Sequence, residues 1–169
     1  MTMNDFETFE KDLLTYLIKD SKKCIETINN NSKLIEGHLS TRDSAQVKDF
    51  VNNFNNAVLN PKVKKYKLFE KVLKHGLFAT VLAQFRESDV LIKAIKQYNE
   101  NAIKWLLDMN INFGAQDENG MTALMHAVKN DNYLNDKFYK KLVKTIIKTN
   151  GKHIQFTDNE GNTALFHAI

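Results

Sequence analysis

Cysteine and proline are nearly absent from this chain of 169 residues, which contains one of each. The single cysteine, Cys24, excludes a disulfide within the chain, so a reducing setting is expected: the cytoplasm, with the nucleus or a host-cell cytosol as alternatives. The six glycines are scattered singly, which excludes a glycine-rich phosphate-binding loop. No apolar run approaches the roughly 18 residues of a membrane span.

Arginine is also scarce, with 2 residues against 22 lysines. The net charge of +4 comes from one segment of the chain and is not spread evenly along it. Residues 61–100 carry nine basic and four acidic groups, and six of the lysines lie between Lys62 and Lys74. A basic helix that also carries Tyr66 and Phe69 leaves open a nucleic-acid-binding or membrane-surface role, or the binding of an acidic protein partner. We expect instead that its apolar side packs and its lysines are solvated, so neither nucleic acid nor membrane is the expected partner.

A twelve-residue stretch, residues 117–128, recurs almost position for position at residues 158–169. Each copy reads as a turn followed by a capped helix, with a glycine able to take positive φ, an aspartate that bonds amides two residues on, and a threonine N-cap. These residues are Gly120, Asp117 and Thr122 in the first copy and Gly161, Asp158 and Thr163 in the second.

This repeat, displaced by 41 residues, resembles the ankyrin repeat, whose unit of about 33 residues opens its first helix with Thr-Pro-Leu-His. The resemblance implies repeats at about 84–116 and 117–157 and a partial one from 158, with the extra length near 130–136 and 150. The chain departs from the signature at four positions: Ala123 and Ala164 replace the proline, and Met125 and Phe166 replace the histidine. Asn110 stands where the family usually has a left-handed glycine.

Apolar residues at three- and four-residue steps predict helices throughout the rest of the chain. Their expected bounds are about 4–29, a short element at 34–39, one over 47–59, then 61–75 and 77–85. No convincing strand pattern appears, so the predicted fold is all-α. We expect a helical N-terminal capping region at 1–76 followed by an ankyrin-repeat solenoid at 77–169, truncated at its C-terminus.

Residues that could carry catalysis or hold a metal do not form a recognisable pattern. No pair among the five histidines has zinc-motif spacing. His126 and His167 occupy equivalent positions in the two copies, for which ordinary packing between repeats is the expected role. Cys24 lies in an apolar helix stripe, where a buried structural thiol is expected. We therefore predict no enzymatic activity, no catalytic or metal-binding residues and no cofactor.

The resemblance implies a protein–protein interaction module that binds another protein through the concave side of the repeat stack. The exposed positions that it assigns to the partner are Glu118, Asn119, Met121, Lys129, Asn130, Asn159, Glu160 and Asn162. Two alternatives remain at this point. One is a targeting or regulatory segment of a larger enzyme or secreted effector, and the other is a nucleic-acid-binding helical domain.

Overall fold

The computed structural model describes residues 3–129, 136–149 and 151–169, and within them the chain is all-α, as predicted. The helices are α1 (Met3–Ile18), α2 (Lys23–Asn30), α3 (Ser32–Leu39), α4 (Ala45–Val58), α5 (Lys67–Leu73), α6 (Ala79–Glu87), α7 (Val90–Lys96), α8 (Glu100–Leu107), α9 (Ala123–Lys129), α10 (Lys137–Thr149) and α11 (Ala164–Ala168). Short 3₁₀ turns occupy Gly76–Phe78 and Gly151–Gln155. These residues form no β-strand, only an isolated bridge between Gln116 and Thr122.

The predicted single helix over residues 4–29 is wrong, because the chain reverses between α1 and α2. Asp20 takes a left-handed conformation with φ of 53°, which aspartate tolerates better than most residues. The N–H of Ser21 then donates to the Tyr16 carbonyl at 2.8 Å and closes the end of α1. The polar break in the apolar stripe therefore marks a turn, and α2 packs back against α1.

The predicted helix over residues 61–75 is also wrong in its first half, since α5 begins only at Lys67. The side chain of Asn60 accepts from the Lys62 N–H at 2.9 Å, and the Val63 N–H donates to the Asn60 carbonyl. Tyr66 is buried, its hydroxyl donates to the Val58 carbonyl at 3.0 Å, and its ring stacks on Trp105 at 4.8 Å. Tertiary contacts thus hold this segment out of the helix.

One hydrophobic core runs from α1 to α11. At its centre the Phe54 ring of α4 meets Phe69 and Phe85 edge-on, with centroid distances of 5.5 and 5.8 Å. Phe85 in turn lies 5.8 Å from Trp105 of α8. The N-terminal helices therefore share buried aromatic surface with the helices that follow. The domain boundary at residue 76 stays a prediction.

The later helices form stacked pairs, with α7 against α8 and α9 against α10, and α9 also contacts α7 and α11. The helix pattern also predicts seven buried residues in this part of the chain, of which Leu107 is only partly buried and the other six are buried: Trp105, Leu106, Leu124, Ala127, Leu142 and Ile146. Asn110 has φ of 55° after α8, which confirms the left-handed position predicted there. The lysines of α10 lie exposed on its outer face.

Candidate interaction surface

Two matching turns precede α9 and α11, and their aspartates organise them. The Asp117 Oδ1 accepts from the Asn119 and Met121 N–H groups at 3.0 and 2.9 Å. Asp158 repeats both bonds in the second turn, at 2.9 Å each. Gly120 and Gly161 have φ of 72° and 83°, a conformation that glycine adopts without strain. The predicted turn chemistry is confirmed in both copies.

The threonine N-caps are confirmed as well. Thr122 Oγ1 accepts from the Met125 N–H at 3.3 Å, and Thr163 Oγ1 accepts from the Phe166 N–H at 3.4 Å. At the first cap, the Thr122 N–H donates to the Met125 sulfur at 3.4 Å. Helix α9 therefore begins directly after its threonine cap, although methionine stands where the family signature has histidine.

A histidine ties each helix to its own turn, which the sequence interpretation missed. His126 Nε2 lies 2.7 Å from Asp117 Oδ2, and His167 Nε2 lies 2.7 Å from Asp158 Oδ2. An ionised carboxylate can only accept, so the histidine nitrogen donates in each pair. The signal was available, because an aspartate and a histidine stand nine residues apart in both copies. These contacts account for the equivalent positions of the two histidines.

Hydrogen bonding makes both turn carboxylates stronger acids. Burial raises the pKa of Asp117, but the bonds from His126, Met121 and Asn119 outweigh it, and the net pKa is below its ordinary value. The pKa of Asp158 is also lowered, first by the Asn162 N–H and then by His167, against an opposing effect of burial. Each turn thus favours the ionised form of its aspartate.

We expect the folded protein to lose stability in acid through these two groups. Their folded pKa values lie below the ordinary 3.8, so their contribution is complete above about pH 4 and is lost as the pH falls through the folded values. The melting temperature should therefore decline below about pH 4, and more shallowly in Asp117→Asn. Glu118→Gln, at an exposed side chain of the same turn, is the control. Equal slopes in wild type and Asp117→Asn would contradict this assignment.

The two turns are bonded to each other, and Asn159 makes the link. Its backbone N–H donates to the Asn119 carbonyl and its side-chain amide to the Glu118 carbonyl, both at 2.9 Å. Gln116 adds a second bridge, donating through Nε2 to the Gly120 and Thr157 carbonyls at 2.7 and 2.9 Å. The turn tips therefore stand side by side in a fixed register.

This register creates an exposed strip, which we call the turn ridge, made of Glu118, Asn119, Asn159 and Glu160. All four were among the predicted partner-binding residues. Lys129 is exposed at the end of α9, and Asn162 is partly exposed. Asn130 lies outside the described residues.

Met121 corrects the prediction, because it is buried, with only 6% of its surface exposed. The Asp117 N–H donates to the Met121 carbonyl at 3.0 Å, and the Met121 side chain joins the hydrophobic core. Its counterpart Asn162 is polar and partly exposed, so the recurrence itself favoured a surface position. The Met121 side chain therefore packs into the core beneath the turn and does not lie on the exposed surface.

Among the described residues, no group of three histidine, cysteine, aspartate or glutamate side chains is placed to hold a metal ion. The same part of the chain has no helix that is both long and apolar enough to cross a bilayer. What the geometry offers is a polar strip of adjacent turns on stacked helix pairs.

Stacked helix pairs joined by bonded turns define a helical repeat protein. Residues 56–138 match the family model described as ankyrin repeats, in three copies, and this part of the chain belongs to the ankyrin-repeat family. No family model matches the rest of the chain. No curated protein and no solved structure matches any part of the chain. The matched segment begins within α4 and ends at the start of α10, so it takes in α5 to α9 and stops before the second turn. Ankyrin repeats are protein–protein interaction modules.

Proposed function

We propose that this protein is a non-enzymatic interaction module whose protein partner contacts the turn ridge, with Lys129 and Asn162 at its margin. The observation that carries the proposal is the bonding of one turn to the next through Asn159. It joins side chains 41 residues apart into one surface of defined shape. A partner that fits this surface gains affinity without having to order the loops first.

The chemistry of the ridge favours a partner that donates hydrogen bonds. The side chains of Glu118 and Asn119 are exposed and make no hydrogen bond within the described residues. From the part of the chain that the structure describes, the Glu160 carboxylate accepts one long bond, from the Asn162 amide at 3.4 Å. Asn159 is different, since its amide is used in the link between turns. We propose that Glu118, Asn119 and Glu160 meet the partner, while Asn159 fixes their spacing.

The test uses a photo-crosslinkable amino acid placed at position 119 of the full chain, followed by titration of the captured partner. Glu118→Ala with Asn119→Ala should weaken its binding at least about fivefold, or roughly 1 kcal/mol. The matched control, Lys141→Ala with Lys144→Ala, truncates two exposed side chains of α10 and should change the dissociation constant less than about twofold. Greater loss in the control pair would refute the turn ridge as the contact surface.

The proposed setting remains the cytoplasm. The only cysteine of the sequence, Cys24, is free and buried, so the chain forms no internal disulfide and does not need an oxidising compartment to form one. Imaging of a fluorescent fusion of the full chain in its own cell would test this location.

A further inference from the structure

A cavity of about 570 Å³ lies between the α1–α2 turn and the segment leading into α5. Its lining consists of Asp20, Lys22, Ile25, Lys65, Lys67, Leu68 and Lys71, which we call the basic groove. We propose that the basic groove binds an acidic peptide segment of a protein partner, with an apolar side chain of that segment seated on the groove floor. This site shares no residue with the turn ridge and does not depend on the function proposed for it.

The rim of the basic groove is strongly positive. Its four lysines are exposed, and the single carboxylate of the lining, Asp20, lies 3.9 Å from the Lys65 ammonium. Lys22, Lys67 and Lys71 form no ion pair with a carboxylate of the described residues. An adjoining cavity of about 230 Å³ adds Lys19, Lys62 and Lys64 to the same edge. Lysines gathered this way attract a negatively charged ligand, and the attraction weakens with salt.

The floor of the groove is apolar. Ile25 and Leu68 line it, and both are partly buried against the main core. A concave site with an apolar base and charged groups at its edge suits a ligand that combines both characters. An acidic peptide with a leucine or similar side chain supplies its carboxylates to the lysines and its apolar group to Ile25 and Leu68.

A nucleic acid fits this surface less well. Single strands bind by stacking bases on aromatic side chains beside a positive groove, and no aromatic residue lines this cavity. The aromatic neighbour in the sequence, Tyr66, is buried against Trp105. A membrane surface fits poorly for a related reason, since its binding requires projecting apolar side chains, whereas Ile25 and Leu68 lie at the floor of a cavity.

The probe is a fluorescein-labelled synthetic peptide of about twelve residues, alternating pairs of glutamates with single leucines, titrated against the full chain by fluorescence anisotropy. Binding with a dissociation constant of about 10–100 μM at low salt is expected. Lys67→Glu with Lys71→Glu should weaken it at least about tenfold. Lys141→Glu with Lys144→Glu makes the same charge change at exposed sites of α10 and should weaken it less than about twofold.

Absence of peptide binding at low salt, or equal weakening by the two double variants, would overturn the proposal. Equal binding of a probe in which serine replaces every leucine would also overturn it. So would tighter binding of an oligothymidine of similar length, or of phosphatidylserine vesicles, at the same ionic strength. Melting curves of every variant are compared, and if Lys67→Glu with Lys71→Glu does not fold, Lys22→Glu alone supplies the rim test. The ridge variant Glu118→Ala with Asn119→Ala should bind the peptide normally, which separates this site from the turn ridge.

Discussion

Gly120→Ala should lower the free energy of unfolding by about 2–5 kcal/mol, whereas Gly161→Ala should lower it by only about 1–2 kcal/mol. Both glycines hold positive φ, so both alanines carry the left-handed penalty. A Cβ at Gly120 would also lie 2.6 Å from Asn159 Oδ1 and 2.9 Å from its backbone nitrogen. At Gly161, an added Cβ would have no described residue within 4 Å apart from its own chain neighbours.

The pair of variants therefore separates backbone strain from the contact between turns. Urea denaturation of both proteins gives the two free energies, and amide exchange at the turns shows where the structure loosens. Asn159→Ala removes both the nearest clashing atom and the hydrogen bond from the Asn159 amide to Glu118, so Gly120→Ala should cost less in the Asn159→Ala background than in wild type. Equal costs at the two glycines would show that the turns are not in contact in solution.

Phe54→Ala should cost about 3–5 kcal/mol, as expected for a fully buried phenylalanine. The Phe54 ring is 0% exposed and joins α4 to the aromatic rings of α5 and α6. Because one core connects the N-terminal helices with the repeats, the variant should still unfold in a single transition, at lower urea concentration.

The control for this truncation is Phe166→Ala, in which the same group is removed from a side chain that is 61% exposed. Its cost should stay within about 0.5 kcal/mol. Two separate transitions in Phe54→Ala, with the repeats unfolding as in wild type, would instead show that the N-terminal helices form an independent unit.

Features encoded within a few residues were predictable from the sequence. The positive φ of Gly120 and Asn110, the aspartate bonds of the turns and the threonine caps all depend on local backbone chemistry, and the structure has each of them. The stacked helix pairs were predictable too, because the turn, the cap and the apolar helix positions recur in the same order in both copies. The family match over residues 56–138 agrees with that interpretation.

The features that were mispredicted depend on distant partners. Lys62 to Tyr66 has helical periodicity, yet Trp105 and the Val58 carbonyl hold Tyr66 outside the helix. Met121 was assigned to the surface because the ankyrin resemblance implies an exposed position there, but its side chain is buried in the core. The basic groove could not be foreseen, since Lys22 and Lys67 come together only through the reversal at Asp20, which the apolar stripe did not show.

The bond between histidine and aspartate has a consequence for how a repeat protein gains units by gene duplication. Both partners of each bond lie within ten consecutive residues, as in Asp117 and His126. A tandem duplication of the gene segment copies the bond complete, without requiring a matching change elsewhere. The contacts made by Asn159 and Gln116 depend instead on which unit stands next to them. Repeat units of this kind can be added one at a time, and each addition then requires new contacts only between the neighbouring turns.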